Sequence, residues 1–362
     1  MITEMMDFGS AQKYLDQYIS YEIVRDFDYE KDFGLKRVSN FLDQWVPNWS
    51  TLKVIHVGGS KGKGTVSKMV SDYLVKEGKC VGLFLSPHVV SVCERISVDG
   101  EMISRENFAA VVSDFAEFVG DSCELSWFEI FFVLAMKVFV EKGCEFAVLE
   151  VGLGGRLDAT NVVKPIVTAI TSVEMEHADI LGDTLEKIFE EKWGIKKSGV
   201  PMICEENLRK FVGEREAEFA EGNEGVARAV LGKLGFEARD LVGNFKMVGR
   251  FDVRELEGKT VVFDIAHTVK SLERLLVSLE ERFIDEKKVF LVGKLNDKGD
   301  FVKVFEGKEV RFVGGFSERA MEGEDYSVVF EEVLANIKKD QIIVVTGSSY
   351  LVGAIIRRFL PS

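Results

Sequence analysis

The chain has 362 residues, 46% of them hydrophobic and 29% charged, which suits two or three globular domains and excludes a disordered, collagenous or coiled-coil chain. Lys and Arg number 46 against 60 Asp and Glu, a net charge of −14. A surface this acidic repels polyphosphate, so nucleic acid is not expected as a partner and any phosphate chemistry has to come from a local site.

Apolar residues recur at helical spacing over 35–46, followed by the β-branched run LKVIHV, which ends in glycines. A helix is expected from about Thr65 to Glu77, then a strand in KCVGLFLS. Residues 105–119 and 127–142 read as helices, FAVLEVG and VTAITSV as strands, and 184–197 as a helix. The charged stretch 204–225 suggests an inter-domain region, with a last helix of the first domain over about 224–235. Alternation then restarts: TVVFDIA, a helix over 270–283, KVFLVG, a helix near 300, EVRFVGG, a helix near 327–339, QIIVVTGS and a helix from Tyr350 to Phe359. Strands alternating with helices of about 10–15 residues indicate βαβ units and a parallel sheet. The expected class is α/β, with four strands in the second domain. The division expected is 1–245 and 246–362, the second a smaller C-terminal Rossmann-like α/β domain.

The five cysteines (80, 93, 123, 144 and 204) are odd in number and show no metal-pair spacing. They indicate reduced thiols and a cytoplasmic protein. The start, MITEMMDFGS, carries acids and no apolar run, unlike a signal peptide. The most apolar stretch, Ile130–Val140, is broken by Lys137 and is too short to cross a bilayer, so no membrane partner is expected.

The sharpest motif is VIHVGGSKGKGT, residues 54–65. Glycines between a strand and a helix let backbone N–H groups turn toward a phosphate, and the helix N-terminus adds positive potential. Lys63 is expected to reach the β- and γ-phosphates, and Thr65 a phosphate oxygen or Mg²⁺. Gly64 separates the two, so the loop departs from the strict GxxxxGK[ST] form. In LFLSPHVVSVCERI, Ser86 and His88 follow a strand. In FAVLEVGLGGRLDATN, Glu150 ends a strand, where a carboxylate is costly unless it meets a cation, and a Mg²⁺ ligand is expected there. His177 and Lys192 lie in ITSVEMEHADILGDTLEKIFEEKWGIKKSG. All four histidines (56, 88, 177 and 267) are expected beside strand ends. Arg250, Asp264 and His267 lie on the second domain, which suits closure over a nucleotide.

In this order the blocks resemble the folylpolyglutamate synthase/dihydrofolate synthase family of the Mur ligase superfamily. The resemblance runs from GLKRVSNFL through the Gly-rich loop, SPH, ERI, LEVGLGGRLDATN, HADILGDTLEKI and EKWGI to DIAH and GSSYLVG. It implies an ATP-dependent ligase of folate biosynthesis and one-carbon metabolism, which joins a pteroate or folate carboxylate to L-glutamate through an acyl phosphate. It further implies ATP on Gly59, Ser60, Lys61, Gly62, Lys63, Gly64 and Thr65, with Asn223, Arg250 and Asp264. Mg²⁺ falls to Ser86, Glu150, His177 and Lys192, the last as the family's carbamylated lysine. Lys63, His177 and Lys192 are the catalytic group, and Ser126, Trp127, Phe128, Glu129 and Asp158 match the pterin region. A monomer is expected.

Lys61 stands where the family usually has Asn, Glu176 where it has Asp, Lys36 where it has Glu, and Thr268-Val269 where it has Asn-Pro. The segment between Pro201 and Arg250 is shorter than in typical members. A Mur-type ligase acting on another pterin or cofactor acid, or a non-catalytic nucleotide-binding homologue, therefore stays open. A cell-wall Mur ligase is disfavoured, since only 57 residues precede Gly58.

Overall fold

The computed structural model describes residues 5–21, 34–120, 122–239, 241, 247–296 and 301–360. The chain divides into two units, Met1–His88 with Cys93–Gly243, and Val89–Val92 with Asn244–Ser362. The boundary expected at 245/246 lies outside the described residues, as does the start of the helix expected near 300. A short 3-10 turn, Val302–Phe305, follows there.

In the first unit, strands β1 (Lys53–Gly58), β2 (Val81–Phe84), β3 (Ile96–Val98), β4 (Glu101–Met102), β5 (Phe146–Glu150), β6 (Val167–Ile170), β7 (Met202–Glu205) and β8 (Glu218–Ala220) form one sheet. Its order is β4-β3-β2-β5-β1-β6-β7-β8. The pairs are parallel except at β2–β3 and β3–β4. β2, β5 and β6 are buried throughout and β1 beyond its first residue, as expected of strands covered on both faces. In register, Val57 lies level with Glu150 and Gly58 with Ile170. The loop after β1, the acid ending β5 and the residues after β6 therefore leave the same carboxyl edge. That edge is where open α/β sheets bind ligands.

The helix Trp127–Glu141 is apolar on nearly all sides and correspondingly buried. Within it Lys137 reaches Asp114 and Glu141 at 3.1 and 3.2 Å. Among the described residues no helix is long and apolar enough to cross a membrane. Cys80 and Cys144 place their thiols 3.7 Å apart without a disulfide.

The stretch 204–225 is not a linker. It carries the end of β7, the short helix Arg209–Val212, β8 and the start of the helix Gly222–Lys233, all in the first unit. Its charges belong to a sheet edge, where charged side chains are the usual protection against unwanted pairing.

The second unit holds β9 (Asp252–Leu256), β10 (Lys259–Phe263), β11 (Lys287–Gly293), β12 (Glu309–Gly314), β13 (Glu324–Asp325) and β14 (Gln341–Thr346), ordered β13-β12-β11-β14-β10-β9. Only β9 runs antiparallel. The expected four strands are thus joined by two edge strands too short or too charged to show an apolar run. Val89 is buried in this unit's core, and Arg357 donates to the carbonyls of Val89 and Val90.

Candidate active site

The helix after β1 begins at Lys63 rather than Thr65, with Gly62 as its N-cap at φ 88°. The loop is fastened to the end of β6. Ser60 N–H donates to the Ser172 carbonyl at 2.8 Å, and Lys61 N–H to Ser172 Oγ at 2.8 Å. Thr171 Oγ1 donates to the Lys61 carbonyl at 2.6 Å. Glycine is required at two points, both in the left-handed region. A Cβ on Gly59 would lie 2.1 Å from Thr171 Oγ1, and one on Gly62 would lie 2.3 Å from Asn223 Oδ1. Asn223, far along the chain, is therefore seated directly on the loop. Gly64 is buried and Thr65 half-buried in the first helical turn. The Lys63 ammonium folds back onto the Gly59 carbonyl at 3.0 Å.

Next to this loop stands a residue that sequence reasoning noted only as a departure. Glu176 Oε1 accepts from Lys192 Nζ at 3.0 Å, and Oε2 lies 3.7 Å from Lys61 Nζ. Lys192 projects from the helix Leu185–Trp193 with only 2% of its side chain exposed. Burial pushes the Lys192 ammonium down to about 8, Lys63 and Lys61 add to that, and Glu176 opposes it. Burial resists ionisation of Glu176, but Lys192, Lys63 and Lys61 overcome it and hold the carboxyl at about 2. As the ammonium of this pair, Lys192 cannot ligate a cation. The carbamate implied for it requires the pair to open.

His177 is exposed, adopts the left-handed conformation at φ 47° and caps the short helix Ala178–Leu181 through its carbonyl. Glu150 is 5% exposed, and its Oε2 accepts the Ser86 backbone N–H at 2.9 Å. Ser86 and Glu150 are thus brought together, by the backbone of Ser86. Among the described residues no three His, Cys, Asp or Glu side chains gather to hold a metal. Mg²⁺ needs no such cage, since it binds through one or two carboxylates together with phosphate oxygens and water. Glu150, one strand from the phosphate loop, fits that requirement.

The residues matched to the pterin region are tied into the scaffold. Asp158 is 1% exposed. Its Oδ2 accepts from the backbone N–H of Gly152 and Leu153, and its Oδ1 from the N–H and hydroxyl of Thr160. With these four bonds Asp158 shapes the loop between β5 and the 3-10 turn Ala159–Val162. Ser126 and Glu129 form the capping box that starts the helix Trp127–Glu141. Trp127 packs under the Arg95 guanidinium at 4.6 Å, and Phe128 fills the space a Cβ on Gly152 would need. The residue missed here is Arg37, which grips both oxygens of Glu129. With Tyr14, Tyr18, Cys123 and Ser126 it lines a cavity of about 670 Å³. The Arg after Lys36 was legible as a motif residue, but its acid partner lies 92 positions away.

His56 corrects the reading of the histidines. It lies within β1, fully buried, with Nε2 2.8 Å from Thr160 Oγ1, and burial pushes its imidazole down to about 3. In the second unit Arg250 is exposed on a turn closed by its N–H to the Met247 carbonyl. Asp264 accepts the N–H groups of Phe251 and Ala266 with its two oxygens, so it shapes the turn next to Arg250 and has no oxygen committed outward.

A glycine-wound loop on the central strand, with a carboxylate on the neighbouring strand and a separate smaller α/β unit, is the architecture of the Mur-type ligases. The Mur ligase middle domain family matches residues 57–203. The chain is 38% identical over 176 residues to the dihydrofolate synthase/folylpolyglutamate synthase of Bacillus subtilis, across 47% of this chain and 41% of that protein. The folylpolyglutamate synthase of Thermotoga maritima superposes with a TM-score of 0.79 at 28% identity, covering 98% of this chain and 97% of that one. Escherichia coli FolC shares the fold, with a TM-score of 0.82 at 24% identity over 97% of each chain. The chain is thus similar to folylpolyglutamate synthases and dihydrofolate synthases. The aligned stretch spans between 28% and 41% of the first curated relatives' own length.

Proposed function

We propose that the chain is an ATP-dependent ligase that joins L-glutamate to the carboxylate of a pteroate- or folate-type molecule. The observation that carries this is the phosphate loop itself. Its backbone is pinned to β6 at Ser60 and Lys61, it bears Lys61 and Lys63, and it stands one strand from the buried Glu150.

A carboxylate is a poor electrophile. One of its oxygens attacks the γ-phosphorus of ATP, the bond to the β-phosphate oxygen breaks and ADP leaves. The amine of glutamate then attacks the acyl carbon, inorganic phosphate departs and the nitrogen loses a proton. Little covalent chemistry falls to the protein, whose tasks are alignment and charge neutralisation. The N–H groups of the first helical turn, Lys63 to Thr65, are assigned to the phosphates, since those of Ser60 and Lys61 are held by Ser172, and Lys63 leaves the Gly59 carbonyl for the γ-phosphate. Mg²⁺, when bound, screens the phosphate charge, and Glu150 with Ser86 would hold it. Arg37 and the cavity beside it are assigned to the pterin end of the substrate.

The reading places the reaction in the cytoplasm and in a single chain, which supplies every assigned residue. The test is an assay with ATP and L-glutamate against a panel of pteroates and folates, reading ADP release and the glutamylated product by mass. ADP release without a mass-shifted product from any of them would refute the substrate class. A product with another acid would favour a related Mur-type ligase.

A further inference from the structure

We infer that His56 is a positioning residue for the acid substrate, acting through Thr160 and Asp158 on the loop at Gly152 and Leu153. The inference rests on the ligase reading of the site. His56 stands in the central strand, level with Leu149 of β5 and Thr168 of β6. Its Nε2 lies 2.8 Å from Thr160 Oγ1. The Thr160 hydroxyl donates to Asp158 Oδ1, and Asp158 Oδ2 accepts the N–H groups of Gly152 and Leu153. One chain of hydrogen bonds thus runs from the strand that ends in the phosphate loop to the loop that follows Glu150 and Val151.

The partners set the direction of each bond. With its own proton on Asp158, Thr160 Oγ1 can only accept from the ring, so Nε2 carries the imidazole proton. Nδ1 is buried and has no partner among the described residues. A bare nitrogen suits that place, since an N–H orphaned in the interior is the rarer defect. Burial and the nearby Lys197 hold the ring neutral, so it acts by the direction of one bond and not by charge. Without that donor the Thr160 hydroxyl is free to turn, Asp158 loses a partner, and its carboxylate can rotate off the two N–H groups. Gly152 has no slack to absorb the shift. A Cβ there would lie 2.4 Å from the ring of Phe128, one of the residues matched to the pterin region, and Phe128 in turn packs on Phe84. A displaced loop therefore displaces Phe128.

The test is steady-state kinetics of wild type, His56→Gln, His56→Asn and His56→Leu with ATP, L-glutamate and a pteroate. Gln sets an amide nitrogen as far from Cβ as Nε2 stands, Asn sets one where Nδ1 stands, and Leu has no donor. The Asn and Leu variants should raise KM for the pteroate about fivefold to tenfold, the loss of one buried hydrogen bond. Their KM for ATP should stay within about twofold of wild type, and Gln should restore the pteroate KM. A merely structural residue would lower the active fraction, and so kcat, with both KM values unchanged. Should no variant fold, nitrogen NMR of the labelled imidazole in wild type decides: a proton on Nε2 and a bare Nδ1 are expected at neutral pH, and the other tautomer or an imidazolium overturns the inference. Equal pteroate KM values in all four proteins, or rescue by Asn as complete as by Gln, overturn this inference only. Wild type that ligates no pteroate or folate overturns the ligase reading and this inference with it.

Discussion

Gly155→Ala probes whether the helix that carries Lys192 must sit where it does. A Cβ at residue 155 would lie 2.8 Å from the Glu191 carbonyl oxygen, 3.0 Å from Ile195 Cγ2 and 3.1 Å from Lys192 Cα. Carbon contacts settle at about 3.5–4.0 Å, so loop and helix must part by roughly 0.5 Å. Overpacking of this kind costs about 1–3 kcal/mol, which for a unit of this size lowers Tm by about 2–4 °C per kcal/mol. The bond at risk is Arg156 N–H to the Glu191 carbonyl, now 2.8 Å, supported by the Arg156–Glu191 ion pair. The same displacement moves Lys192 against Glu176. Since a misplacement of about 1 Å can cost about 10²-fold in rate, half of that predicts roughly a tenfold loss of kcat. Thermal melting and steady-state ADP release read the two effects separately. A lower Tm with kcat within twofold of wild type would show that the position of Lys192 is irrelevant to turnover. An unchanged Tm would refute the packing argument itself.

Three further outcomes are expected. The Glu176 carboxyl is held at about 2 against a usual 4.5, so its stabilising contribution is complete above pH 4.5 and is lost as pH falls toward 2. At about 1.4 kcal/mol per pKa unit this is worth roughly 3 kcal/mol. Urea unfolding between about pH 5 and 2.5 should show an acid limb that Glu176→Gln flattens, and an equal slope in both proteins contradicts it. Asp158→Ala strands the N–H groups of Gly152, Leu153 and Thr160 and should cost about 3–5 kcal/mol in denaturant titration. A loss under about 1 kcal/mol would show that these bonds do not hold the loop. Lys63→Ala should abolish ligation with Tm unchanged, and near-wild-type turnover at saturating ATP would remove the loop from the reaction.

The architecture was legible where burial was complete. β1, β5, β11 and β14 read as continuous apolar runs because both faces of a parallel sheet are covered, and the main helices showed their period. β4, β8, β9 and β13 were not legible, since two to five residues at a sheet edge carry charge and leave no period to count, and β3 and β7 are too short to show one. The phosphate loop was legible because its glycines answer a local demand. The direction in which Asp158 points was not. A carboxylate in a Gly-rich loop looks the same in sequence whether it faces a ligand or the N–H groups of Gly152 and Leu153, and the fold alone chooses.

Glu176 shows why some site residues escape a reading along the chain. Its partners stand 115 positions before it and 16 after, and only the order β1–β6 joins them. Lys61 and Glu176 each differ from the residue usual in the family, and as separate changes neither has an evident reason. At 3.7 Å they form one electrostatic unit, a cation added to the loop and an acid long enough to meet it. If so, the two changes must be coupled. In a double-mutant cycle of Lys61→Asn and Glu176→Asp, either single change breaks the pair, and the second then has little left to remove. For a partly exposed pair at this distance the coupling should be about 0.5–1 kcal/mol in unfolding free energy. It should fall with added salt, because the pair is open to solvent on the Lys61 side. Additivity within about 0.3 kcal/mol at low salt would mean that the two residues merely lie near each other.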